Sequence, residues 1–166
     1  MTNLERYTRN VIIDKIGEEG QKKLLSSKIL VAGAGGLGST VITNLSSIGI
    51  GTIGIVDNDV IELSNLNRQY IHKFENIGIS KVISAKNWVN GFNPDINVET
   101  YAIRLNDNNY KDIVCNYDII IDCFDSYKSK FLLNRIAINS NKILIHGGVT
   151  EFAGQVTTII PGKTAC

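Results

Sequence analysis

No charge of one sign dominates this chain: Lys plus Arg number 17 against 16 for Asp plus Glu. That balance excludes a bulk field drawing the protein to nucleic acid or a lipid surface. The first ten residues, MTNLERYTRN, hold no apolar stretch, so no secretory leader is expected, and no run approaches transmembrane length. Cysteine is sparse and odd in number (Cys115, Cys123, Cys166), with no C-x-x-C pair inside the chain. This argues for a reduced, cytosolic protein in which Cys115 and Cys123 are buried thiols. There is also no internal repeat, low-complexity tract, domain linker or Ser-His-Asp or Cys-His set. What remains is 166 residues, 43 % of them apolar, enough for one domain with a real core.

The chain is organised around residues 28–38, KILVAGAGGLG. The apolar run 29–32 has strand length and β-branched character. It breaks at Gly33, Gly35 and Gly38, the G-x-G-x-x-G spacing, and then opens a helix. One glycine serves the tight turn, one lets backbone approach a phosphate, and one allows close helix–strand packing. The helix's first N–H groups make that turn an anion site. Asp57 follows about 20 residues later, at the end of a second strand, where a carboxylate can bond ribose hydroxyls. Strand, glycine turn, helix, strand and Asp in this order predict adenine-nucleotide binding.

Taken in order, Val11, Ile12, Ile13 and Ile16 read as apolar anchors, and 18–26 as a short helix packed by Leu24 and Leu25. After the glycine turn, Leu37, Val41, Leu45 and Ile48 recur at helical spacing until Gly49-Ile50-Gly51. Residues 52–56 read as a central parallel strand, apolar on both faces. Residues 57–73, DNDVIELSNLNRQYIHK, form a long polar connection too rich in specific groups for an idle linker. Ser80 is placed to cap a helix carrying Val82, Ile83, Trp88 and Val89, stopped by Gly91 and Pro94. Strands are expected at 97–103, 118–123, 143–145 and 155–160, with helices at 110–114 and 126–139. The fold class is therefore α/β, a Rossmann-like doubly wound, mostly parallel sheet with helices on both faces. Residues 1–27 form an N-terminal helical segment and 28–166 the core of a single ATP-binding domain. A ligand is expected over the carboxyl ends of the strands.

At this point the sequence resembles the ThiF/MoeB/HesA family, bacterial relatives of the ubiquitin-activating enzymes. The matching pieces are RYTRN at 6–10, GAGGLGS at 33–39, DNDVIELSNLNRQ at 57–69, GISK at 78–81, DCFD at 122–125 and GQVTTIIPGKTAC at the end. They cover nearly the whole chain. The resemblance implies ATP and Mg²⁺, adenylation of the C-terminal carboxylate of a small ubiquitin-like sulfur-carrier protein, and release of pyrophosphate, in thiamine, molybdopterin or related biosynthesis. It implies that Gly33, Gly35, Gly36, Gly38 and Asp57 bind the nucleotide, Asp57 at the ribose. Arg68 and Lys81 would hold phosphates, Asp125 would bind Mg²⁺, and Arg9 would reach the triphosphate of the neighbouring subunit in a homodimer. In the family the terminal Cys166 opens a C-x-x-C pair of a Cys₄ zinc site. Here Cys166 is a lone remnant, so no assembled zinc site is expected. Family members continue well beyond this point, so the resemblance implies a truncated adenylation domain. Ser126 stands where many members carry Asn.

The residue types fit that chemistry. A carboxylate attacking a triphosphate meets several negative charges, and cations are the strongest lever against them. Arg grips phosphate as a fork, whereas Lys acts as a point charge. Mg²⁺ takes one or two carboxylates plus phosphate oxygens and water, which suits a lone Asp125. The attacking carboxylate is already ionised, so no acid–base pair is required.

Each residue also has a structural reading. Asp57 can bond the neighbouring turn, and Asp125 can cap the following helix, with Asp122 second for either role. Asn65 and Gln69 can orient the cations or touch phosphate. Lys81 opens a helix, where a cation opposes the dipole. His72 and His146 read as structural and Trp88 as core. Two other functions suit the glycines and Asp57. An NAD-dependent oxidoreductase leaves Arg68, Lys81 and Asp125 without a role and shows no hydride-transfer partner. A non-catalytic nucleotide- or partner-binding module needs none of the three. An allied reaction adenylates a tRNA nucleoside carboxylate, against which the neutral charge balance argues.

Overall fold

A computed structural model describes residues 4–165. The N-terminal segment forms α1 (Thr8–Val11) and α2 (Gly17–Ser26). The core follows as β1 (Lys28–Ala32), α3 (Gly36–Ile48), β2 (Thr52–Val56), α4 (Lys81–Phe92), β3 (Asn97–Tyr101), α5 (Tyr110–Val114), β4 (Ile119–Asp122), α6 (Tyr127–Asn139), β5 (Ile143–Thr150) and β6 (Ala153–Ile159). The strand order is β3-β2-β1-β4-β5-β6. The first five strands run parallel, and β6 is antiparallel to β5.

Alternation along the strands builds two cores from one sheet. Ile29 and Val31 of β1 join Ile53 and Ile55 of β2, Ile42 of α3 and Val82, Ala85 and Val89 of α4. Leu30 and Ala32 face the other way, with Ile120 of β4, Val114 of α5 and Leu133 and Ile136 of α6. The sheet is therefore doubly wound. Its order reverses between β1 and β4, and the crevice beyond their carboxyl ends is where such sheets bind ligands. No helix among the described residues is long and apolar enough to cross a membrane.

Several boundaries differ from the sequence expectation. β3 ends at Tyr101 rather than residue 103. β4 is one residue shorter at each end than 118–123; Asp118, just before it, accepts the Lys28 N–H on its carboxylate (2.9 Å). α4 runs through Gly91 to Phe92, and Ser80 makes no side-chain cap bond. β5 continues past residue 145 to Thr150, and β6 begins at Ala153, because the two strands pair along a long antiparallel ladder. Ile12 and Ile13 are exposed rather than anchoring. Cys115 is exposed as well, and Cys123 alone of the described cysteines is buried. Trp88 is partly buried against the core and stacks on Phe92 at 5.0 Å.

Candidate active site

The glycine turn is shaped by its neighbours. Gly33 sits at φ +106°, and a Cβ there would lie 2.8 Å from the Cys123 carbonyl oxygen. A Cβ on Gly38 would collide with the Gly33 carbonyl oxygen. The turn is thus closed against both its own helix and the chain leaving β4. Gly35 occupies the N-cap of α3 and offers no side chain to the first-turn N–H groups, so that end stays available to an anion.

The long connection folds back over the turn. The Arg68 stem passes within 3.6 Å of the Cβ position of Gly36, and Gln69 Nε2 lies 3.6 Å from that of Gly35. Arg68 is exposed, and its Nη1 donates to the Ser64 carbonyl (3.1 Å) and Asn67 Oδ1 (3.0 Å). Among the described residues its other N–H groups have no partner, so the fork stays open. Gln69 is 4 % exposed, yet its Oε1 is buried without a hydrogen bond. A buried orphan acceptor is costly. Asn65 has a structural job: its Oδ1 accepts the Glu62 N–H (3.1 Å) and caps the Leu63–Asn65 turn.

Asp57 ties β2 to the turn, its Oδ2 accepting the Ala34 N–H and its Oδ1 the Asp59 N–H, both at 2.8 Å. Lys81 opens α4 with its side chain 8 % exposed, and its ammonium lies 3.0 Å from Asp59 Oδ2. Asp59, which the sequence reading included in the 57–69 motif without a role of its own, thereby offsets a cation at the positive end of a helix. Asn58, Asp59, Glu62, Asn65 and Lys81 line a cavity of about 330 Å³.

Asp125 is exposed and makes no hydrogen bond or ion pair among the described residues. The α6 cap falls instead to Ser126, whose Oγ accepts the Ser129 N–H at 3.2 Å. Among the described residues no three His, Cys, Asp or Glu side chains cluster as a metal site. A lone exposed carboxylate such as Asp125 has the donor chemistry to meet only a cation whose other ligands come from phosphate and water. Cys166, and the zinc expectation attached to it, lie outside the described residues.

Arg9 is not brought to this turn. Tyr7, two residues before Arg9, packs against Gly49 and accepts a hydrogen bond from Asn93 at 2.8 Å. Gly49 ends a helix of 13 residues that starts at the turn, about 20 Å away at 1.5 Å per residue.

His72, buried, joins the two halves of the site. Its Nε2 faces the Ala34 carbonyl and its Nδ1 the Ser84 hydroxyl, each at 3.0 Å. A carbonyl accepts, so Nε2 carries the proton and Nδ1 receives the Ser84 O–H. Burial holds the His72 pKa below its ordinary value. The unfolded chain therefore binds more protons between that lowered value and about 6.5. Stability is full above about 6.5 and falls as pH drops toward the folded value. A His72→Gln variant is expected to lose less melting temperature between about pH 7.5 and about 5.5 than the parent. Equal losses in a thermal denaturation series would contradict this. Burial, helped by the Asp122 charge, pushes the Cys123 thiol up to about 12, so Cys123 is not a nucleophile.

The ThiF family profile matches residues 7–166. The chain is 41 % identical over 160 residues to the SAMP-activating enzyme E1 of Haloferax volcanii, covering 96 % of this chain and 59 % of that protein. It is 44 % identical over 153 residues to a probable molybdopterin-synthase adenylyltransferase of Porphyra purpurea, covering 92 % and 40 %. It is 44 % identical over 156 residues to the adenylyltransferase and sulfurtransferase UBA4 of Candida albicans, covering 93 % and 36 %. The chain thus spans between about a third and three fifths of the length of these relatives.

Proposed function

From the premise that this chain belongs to the ThiF family, we propose that it is the ATP-binding part of an adenylyltransferase acting on a small ubiquitin-like sulfur carrier. The observation that carries the reading is the convergence of donors on the glycine turn: the Arg68 stem lies 3.6 Å from the Gly36 Cβ position and Gln69 Nε2 lies 3.6 Å from that of Gly35. The names of its relatives, a SAMP-activating enzyme and a sulfurtransferase among them, support the class of partner.

The triphosphate lies along the turn and the first N–H groups of α3. Each Asp57 oxygen has a second lone pair beyond its backbone bond, and these receive the ribose hydroxyls. Arg68 turns its open N–H groups to the phosphate oxygens. Lys81 offers the ammonium protons that Asp59 leaves over, and Asn65 and Gln69 border the same phosphates. Asp125 would hold Mg²⁺, which when bound would supply charge neutralisation for the leaving phosphates. The carrier's terminal carboxylate oxygen forms a bond to the α-phosphorus as the bond to the bridging oxygen breaks. The electron pair departs with pyrophosphate, giving an acyl-adenylate. Arg68 and Lys81 meet the charge that develops in this step.

In a homodimer, Arg9 serves the partner's triphosphate, consistent with its distance from the turn of its own protomer. The site acts in the cytoplasm. ATP–pyrophosphate exchange with candidate carrier proteins tests the proposal: exchange that depends on the carrier's free C-terminal carboxylate is expected. ATP binding with no exchange for any carrier would reduce the chain to a nucleotide-binding module.

A further inference from the structure

Asp122 ends β4 with its side chain fully buried. Its Oδ2 accepts from Lys130 Nζ (3.2 Å) and from His146 Nδ1 (2.8 Å), and its Oδ1 accepts the Phe124 N–H (3.1 Å). Lys130, 13 % exposed at its side chain, also donates to the Gly147 carbonyl at 2.6 Å. His146 Nε2 faces Gln155 Nε2 at 3.2 Å. An amide nitrogen donates, so His146 accepts there and gives its Nδ1 proton to Asp122. The amide lies across Gly148, whose Cβ position is 3.5 Å from Gln155 Nε2. One carboxylate thus gathers β4, α6, β5 and β6.

A buried ion pair is a poor source of stability, since well-packed apolar groups often do as well. This one sits at the end of β4, where the turn 123–126 that carries Asp125 begins. Oδ1 of Asp122 folds that turn by taking the Phe124 N–H, and the Ser126 cap fixes its other end. The folded turn places the Cys123 carbonyl against Gly33. Among the described residues Asp125 makes no side-chain hydrogen bond or ion pair, so these two anchors set its position.

We infer that Lys130, acting through Asp122, is a positioning residue for the Asp125 carboxylate; this rests on the magnesium role proposed for Asp125. Lys130 touches neither nucleotide nor metal. It fixes the carboxylate that fixes the turn, and so governs how well a divalent cation is met beside the triphosphate.

The test is calorimetric binding of ATP to the full 166-residue chain, with Mg²⁺ and with EDTA. The readout is the gain in affinity that Mg²⁺ provides. In wild type that gain is present, and Asp125→Ala removes it. Lys130→Met is expected to cut the gain about tenfold, a shift of about 1.4 kcal/mol, while EDTA-condition affinity stays within about threefold. Lys130→Arg restores it. Because Lys130→Met leaves a buried charge unpaired, the double variant Lys130→Met with Asp122→Asn is measured too. It recovers melting temperature but not the magnesium gain. A purely structural role would lower both affinities together, and that result, or a full gain in either variant, overturns the inference. If Asp125→Ala keeps the gain, the magnesium reading of Asp125 fails and the inference falls with it. If Asp125→Ala loses the gain while Lys130→Met keeps it, the positioning role alone is wrong.

Discussion

Gly38→Ala is expected to weaken ATP binding by at least about a hundredfold, equivalent to about 2.8 kcal/mol. A methyl group at this position meets the Gly33 carbonyl oxygen, which is backbone and cannot rotate aside. Gly33 cannot retreat, because the Cys123 carbonyl closes its other side and its N–H is bonded to the Val56 carbonyl at 2.8 Å. The clash must therefore be relieved by lifting α3 from β1, which displaces the N–H groups that face the phosphates. Overpacking of this kind costs about 1–3 kcal/mol. The melting temperature should fall by about 2–4 °C for each kcal/mol in a domain of this size. Calorimetric titration with ATP alongside thermal denaturation checks both halves. A folded variant with parental affinity would show that the close approach of α3 to β1 does not shape the nucleotide site.

Arg68→Ala should lower carrier-dependent ATP–pyrophosphate exchange by about 10²–10³-fold, the loss of about 3–4 kcal/mol seen when one preorganised charge-stabilising donor is removed. Stability should barely change, because Arg68 is exposed and its hydrogen bonds stay within its own loop. The variant thus separates chemistry from folding. Arg68→Lys should recover only part of the rate, since an ammonium keeps the charge but not the fork. Exchange by Arg68→Ala at the parental rate would remove Arg68 from the mechanism.

The parts of the fold that were legible are those where one signal dominates. Ile29 to Ala32 and Ile53 to Val56 are buried on both faces, so continuous apolar runs marked them as parallel strands. Gly33 and Gly38 announced the turn because the contacts they make admit no side chain. β5 and β6 were harder. Gly147 and Gly148 look like strand breakers, yet Gly148 is small because the Gln155 side chain crosses it on the way to His146. Cys115 looked like a core thiol, but it sits at the C-cap of the short α5, on the solvent side.

Of the residues read from the sequence, those at 57–69 share one contiguous stretch, and Gly33 to Gly38 and Asp125 follow apolar strands, whereas Lys81 and Arg9 sit on helices. The polar connection 57–69 stands out by its dense polar spacing, and the fold brings Arg68 and Gln69 against the turn. The role of Asp59, and Lys130 altogether, were missed for an opposite reason. Asp59 matters through Lys81, 22 positions away, and Asp122 gathers Lys130, His146 and, through the imidazole, Gln155 from three further elements. No periodicity links such positions. A faint signal existed in Lys130, a cation placed one turn before the buried Leu133 on a helix packed against the sheet.

Titration of the chain with ATP·Mg²⁺ and, separately, with NAD under the same conditions tests the central claim that this crevice holds a triphosphate. The account predicts saturable binding of ATP·Mg²⁺, weakened in Asp57→Ala and Arg68→Ala, and no comparable heat with NAD. Preferential binding of NAD, or ATP affinity indifferent to both substitutions, would contradict it.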